Sequence, residues 1–254
     1  MKTVIRSLTL LLVLTLLFST NALAKNENAK LSLVALGDSI PYGYNLGHNN
    51  NASTSKYAYP YLIGNDADMR VRNLAVPGWQ TGHMLNALQT DQKYRQAISQ
   101  ADYITLTIGN NDLLLALNTA WELSGKDLQS LPDHLNAQIA TAGVKLATNL
   151  PAIISEIRSL TEAPIIFYNV YNPFQISNPL YPVADNVLPG INYQLNALVA
   201  GPFQPYQDIV IADAYSAFGI KQAEFVIAGD IHPTKAGQEK LAEIGLSELM
   251  QFTN

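Results

Sequence analysis

Four short segments carry residue types that can do acyl-transfer chemistry. Ser39 stands directly after an apolar run and a glycine, in Ala35-Leu36-Gly37-Asp38-Ser39-Ile40. A serine on such a turn serves as a nucleophile once a neighbouring base takes its proton. The same residues also make an ordinary strand-end turn, in which Gly37 bends the chain and Asp38 caps the next segment. Asn73-Leu74-Ala75-Val76-Pro77-Gly78 ends a second run. The backbone N–H of Gly78 can face an oxyanion, and a turn glycine is the alternative. In Gly109-Asn110-Asn111-Asp112, an Asn side chain can donate to a developing oxyanion, a contact worth about 3–4 kcal/mol of barrier. These residues also suit the N-cap of a helix beginning at Leu113-Leu114-Leu115, and both uses can hold together. Finally, Gly229-Asp230-Ile231-His232-Pro233-Thr234 lies near the end of the chain. Pro233 forces residue 232 to be extended and fits a helix start. A loop histidine is ordinarily solvated, but one pinned by proline beside a carboxylate is a candidate general base.

These segments need a scaffold, and the hydropathy pattern supplies one. A continuous apolar run covers 31–36, and further short apolar runs cover 69–76, 103–108, 164–170 and 208–212. Runs of this kind suit strands buried on both faces, as in a parallel sheet. Helical periodicity covers about 57–64, 81–99, 111–119, 134–160, 188–199 and 234–250, with Pro151 expected to kink or split the fourth. Loops are expected at 41–56, 120–133 and 171–187. Strands alternating with helices imply right-handed βαβ units and a three-layer α/β domain. In such a sheet ligands bind beyond the carboxyl ends of the strands, which is where the four segments fall.

In that order and placement the four segments resemble the SGNH, or GDSL, hydrolase family, over nearly the whole chain after residue 24. The resemblance implies a three-layer αβα fold with a flavodoxin-like central parallel sheet of five strands. It implies carboxylic ester hydrolysis through an acyl-enzyme on Ser39, with His232 as general base. It also implies an oxyanion hole from the N–H groups of Ser39 and Gly78 and the side chain of Asn111, and no metal or organic cofactor. One position departs from the family. Its acid stands three residues before the histidine, where this chain has Gly229; the carboxylate here is Asp230, two residues before. Residues i and i+2 of an extended segment share a face, so Asp230 can reach the imidazole. A backbone carbonyl holding a Ser-His dyad, or an acid from elsewhere such as Asp213 or Glu224, are the alternatives. Asp213 is expected to cap or pack at the end of the fifth strand.

Composition bounds the rest. Residues 1–24 read as an export signal: Lys2 and Arg6, an apolar run of 11 residues from Leu8 to Phe18, and an Ala22-Leu23-Ala24 cleavage site. The run is shorter than the roughly 20 residues a membrane-spanning helix takes, so no stable membrane insertion is expected after cleavage. The remaining 25–254 reads as a single domain, secreted and by default monomeric. It carries 13 basic and 20 acidic residues, a net −7, which disfavours nucleic acid as a partner. There is no cysteine, hence no disulfide, thiolate catalysis or Cys-rich zinc site. No Gly-x-Ser-x-Gly, Walker or His-Glu-x-x-His motif occurs. His48, His83 and His134 have no metal-ligand spacing and read as surface or packing residues. Trp79 suits either a pocket wall or the core. Tyr42, Tyr44, Asn45, His48, Asn49, Asn50 and Asn51 suit either polar-headgroup and sugar contacts or an ordinary loop. The expected substrate is a small-molecule, lipid or glycan ester. Polysaccharide O-deacetylation, lysophospholipid cleavage and a non-catalytic binding protein on the same fold stand as alternatives.

Overall fold

The computed structural model of the chain describes residues 29–47, 51–201 and 208–252. The expected signal at 1–24 and His48, Asn49 and Asn50 lie outside them. Five parallel strands form one sheet in the order β2-β1-β3-β4-β5: β1 (Ser32–Gly37), β2 (Arg70–Asn73), β3 (Tyr103–Thr107), β4 (Ile165–Tyr168) and β5 (Ile209–Ala212). All lie within the apolar runs of the sequence, to within one residue at β1.

The central strands β1, β3 and β4 are buried along their length because alternate residues feed two cores, whereas β2 (Arg70-Val71-Arg72-Asn73) is a partly exposed edge strand. Val34, Leu36, Ile104, Leu106, Ile165 and Phe167 enter one, and Leu33, Tyr103, Ile166 and Tyr168 the other. This is the two-residue period of a pleated strand with both faces covered. Helices α3 (Thr81–Thr90), α4 (Gln92–Ser99), α6 (Leu131–Arg158) and α7 (Tyr181–Ala200) contribute residues to the first core. Helices α2 (Tyr59–Asp66), α8 (Ala214–Phe218), α9 (Gln222–Phe225) and α10 (Lys235–Leu249) contribute to the second. The four-residue α1 (Ser39–Tyr42) follows β1, and α5 (Asn110–Leu123) follows β3.

Several helix boundaries differ from the periodicity. The 81–99 segment is two helices, because Asp91 takes an extended conformation (φ −95°, ψ 112°) and its carboxylate caps the second at Lys93 N–H. Pro151 does not split α6, which runs unbroken for 28 residues. Leu150, Ile153 and Ile154 around it are fully buried, and that packing outweighs the lost backbone bond. Helix α7 begins seven residues earlier than its apolar pattern, with a proline in its first turn, where the missing N–H does no harm. The expected loops at 120–133 and 171–187 shrink accordingly. Pro233 stands just before α10, whose cap is Thr234, accepting from Gly237 N–H.

The strand order reverses between β1 and β3, so a crevice opens beyond their carboxyl ends. Ser39 leaves β1 there, and Asn110 and Asn111 leave β3.

Candidate active site

The turn into Ser39 is fixed by sterics. Gly37 has φ +154°, and a Cβ there would come within 2.4 Å of the Thr107 carbonyl oxygen on β3. Only glycine lets β1 and β3 run this close at the turn. Asp38 N–H donates to that same oxygen at 3.3 Å. The Asp38 side chain accepts from Ile40 N–H at 2.9 Å and from Asn110 Nδ2 at 2.8 Å. It therefore caps α1, at whose first position Ser39 sits, and ties that turn to α5. Asn73 adds a second tie, donating to the Pro41 carbonyl at 2.6 Å.

Asp38 is fully buried. Burial pushes its carboxyl up to about 6, against the hydrogen bonds from Ile40 and Asn110 that favour the charged form. An acid with a raised folded-state pKa contributes stability below its unfolded value and loses it as pH climbs through the folded one. From pH 4 to pH 7, wild type should therefore lose up to about 3 kcal/mol relative to Asp38→Asn, measured as the difference between their urea unfolding free energies. A pH-independent difference would contradict this assignment.

Asn110, Asn111 and Ile231 line the same crevice as Ser39. Gly78 has φ +79°, and an added Cβ would meet nothing within 4 Å, so the left-handed backbone rather than space selects glycine. Gly109 is the N-cap of α5 without a side-chain bond. Asn110, Asn111 and Asp112 thus fill the first turn instead of capping. Asp112 accepts from Thr81 N–H and Thr81 Oγ1, both at 2.9 Å, which locks α5 to α3. Asn111 Nδ2 donates to the Trp79 carbonyl at 2.9 Å. An amide nitrogen has two hydrogens, and the second remains for a ligand. Trp79 stacks on Tyr94, centroids 5.5 Å apart, and packs against the core; it is not among the cavity-lining residues below. His83 accepts from Gln80 N–H at 3.1 Å as part of a helix cap.

His232 is buried in a loop held at several points. Its carbonyl accepts from Ile227 N–H at 2.9 Å, Pro233 bridges Val226, and Tyr171 donates to the Ile231 carbonyl at 2.7 Å. His232 Nδ1 and Asp230 Oδ1 lie 2.7 Å apart, so the shortened spacing does reach the imidazole. Partial burial works to raise the Asp230 carboxyl. Hydrogen bonds from Asn45, Ile231 N–H and His232 outweigh it and hold the group below the usual carboxylate range. Asp213 is engaged elsewhere, capping α8 at Ser216 N–H and accepting from Asn169. Glu224 is solvent-exposed.

The loop after Ser39 folds back over this pair. Tyr44 N–H donates to the Ser39 carbonyl at 3.1 Å, and its ring lies 5.0 Å from that of His232. Tyr42 donates to the Asn51 carbonyl at 2.7 Å. These polar and aromatic groups bond within the loop and to the base segment.

An apolar cavity opens from Ser39 and Asn111, walled among others by Leu114, Leu117, Ile139 and Val187. It runs beside the small core in which Leu131 and Leu135 of α6 meet Leu180 and Val183. Neither the cavity wall nor the roles of Asn45 and Asn110 were foreseen. Asn110 and Asp38 are 72 residues apart, and no local spacing announces such a pair. Among the described residues no cluster of three His, Cys, Asp or Glu could hold a metal. No described helix is long and apolar enough to cross a membrane.

The model of the GDSL-like lipase/acylhydrolase family matches residues 35–240. The chain belongs to that family. It is 25% identical over 215 residues to the spore germination lipase LipC of Bacillus licheniformis, covering 84% of this chain and 93% of the relative. Among solved structures, the lipase Lip_vut3 from a goat rumen metagenome superposes with a TM-score of 0.65 at 26% identity, over 84% of this chain and 95% of that one. Phospholipase A1 from Streptomyces albidoflavus shares the fold, with a TM-score of 0.63 at 20% identity over 87% and 99% of the two chains. This family placement supports an ester-hydrolase activity.

Proposed function

We propose that this chain is an exported serine hydrolase of carboxylic esters whose acyl group is an aliphatic chain longer than acetyl. Ser39 Oγ attacks the ester carbonyl while His232, oriented by Asp230, takes the proton. The N–H groups of Ser39 and Gly78 and the second Asn111 Nδ2 hydrogen hold the oxyanion. His232 then protonates the leaving alcohol, and water releases the acid by the same steps in reverse order. Removal of residues 1–24 leaves the hydrolase domain of 25–254, secreted and monomeric, with no nucleic-acid partner and no cofactor in the reaction.

The observation that carries this reading is the continuity of the Ser39–Asn111 corner with a wall of Leu, Ile and Val side chains. A polar sugar acetate leaves such a wall unfilled, whereas each buried methylene gains about 0.8 kcal/mol. On p-nitrophenyl esters, kcat/KM should therefore climb from acetate to at least hexanoate, by up to roughly fourfold per methylene. It should be abolished throughout in Ser39→Ala. A preference for acetate over butyrate would redirect the assignment to deacetylation. No turnover on any ester, with no burst, would favour a binding protein.

A further inference from the structure

We propose that Asn45, in the loop that follows the nucleophile, is a positioning residue for the Asp230–His232 pair. This rests on the reading of His232 as the base and Asp230 as its orienting acid. Asp230 Oδ1 is shared between Ile231 N–H at 2.6 Å and His232 Nδ1 at 2.7 Å. The other oxygen, Oδ2, accepts from Asn45 Nδ2 at 2.5 Å. The Asp230 side chain is 20% exposed, so without Asn45 water would compete for Oδ2 and the carboxylate could rotate about its Cβ–Cγ bond. With both oxygens held, Oδ1 stays aimed at the imidazole.

The Asn45 amide is itself oriented. Asn45 Oδ1 accepts from Asn51 Nδ2 at 2.9 Å, which leaves Nδ2, the donor end, facing Asp230. Asn45 N–H donates back to Asn51 Oδ1 at 2.7 Å, and Tyr42 anchors the Asn51 carbonyl. The Asn45 backbone is left-handed, φ 62°, a conformation that Asn adopts more readily than most side chains. Among the hydrogen bonds that lower the Asp230 carboxyl, the one from Asn45 is the largest. The outer oxygen of the acid faces this loop, and in the same loop Tyr44 N–H bonds the Ser39 carbonyl. One segment thereby sets the relative placement of nucleophile and base.

The test is a double-mutant cycle on the full chain, read as kcat and KM separately on p-nitrophenyl hexanoate. Asn45→Ala should lower kcat roughly tenfold, the scale of one lost hydrogen bond to a charged group, with KM changed less than twofold. In an Asp230→Ala background the same substitution should cost less than twofold, because a residue acting through Asp230 has nothing left to position. Asn45→Asp keeps the size and can still accept from Asn51, but it sets two carboxylates face to face; it should lower kcat further than Asn45→Ala. Equal losses in both backgrounds, or a loss in KM alone, would mean that Asn45 only shapes the loop and would overturn the proposal. So would wild-type kcat in Asn45→Ala. If Asp230→Ala alone retained wild-type kcat, the underlying reading of Asp230 would fall first.

Discussion

Ser39→Ala should lower kcat on any ester substrate by 10⁴-fold or more while leaving the fold intact. The size follows from the chemistry: without Oγ no acyl-enzyme forms, and only binding and the oxyanion donors remain to assist water. The fold should survive because the cap of α1 is Asp38, not Ser39. Alanine is also well tolerated in a helical first turn. The Tm of the variant should therefore lie within a few degrees of wild type, which separates loss of chemistry from loss of structure. Steady-state rates and a thermal melt on the same preparation check both halves. Turnover within a hundredfold of wild type would remove Ser39 from the nucleophile's place.

Asp230→Asn should be the next most damaging, lowering kcat by up to about 10⁴-fold in the manner of a triad acid. The carboxylate accepts at both oxygens, from His232 and Ile231 on one side and Asn45 on the other. An amide cannot reproduce this. With its NH2 toward Asn45, two donors meet. With its NH2 toward the imidazole, Nδ1 must accept, which selects the wrong tautomer for a base acting through Nε2. In either orientation the negative charge that stabilises the imidazolium is gone. KM should change little, since Asp230 does not line the apolar cavity. A loss under tenfold would favour a dyad in which a backbone carbonyl suffices to hold His232.

The two claims differ in how far the sequence alone could carry them. The centre of the sheet was legible because β1, β3 and β4 are buried on both faces, so that Leu33 to Leu36 reads as one apolar run rather than an alternation. The positions of Ser39, Gly78 and Asn111 just beyond strand ends were legible for the same reason, and that of His232 from the proline that follows it in the loop before the last helix. Helix limits were less so. Asp91 breaks a segment whose periodicity continues through it, and α7 begins at Tyr181 in a stretch that its prolines disguise. What sequence spacing could not convey was pairing at long range. Asp38 with Asn110, Asp112 with Thr81 and Asp230 with Asn45 join residues that only the fold makes neighbours. The Asp230–His232 pair was legible as a geometric possibility, since residues two apart on an extended segment share a face. The structure puts a distance of 2.7 Å on it. The cavity wall was hidden because its Leu and Val residues fit equally well as core, and only the packing of α5 against α6 and α7 leaves the space between them open.

The most direct test of Ser39 as an imidazole-activated nucleophile is to label the protein with a fluorophosphonate and locate the adduct by peptide mass spectrometry. A serine activated by a neighbouring imidazole displaces fluoride and retains the phosphonyl group, mimicking the acyl-enzyme. A single adduct on Ser39 is expected, absent in Ser39→Ala and formed far more slowly in His232→Ala. An adduct on any other residue, or stoichiometric labelling of Ser39→Ala, would contradict it.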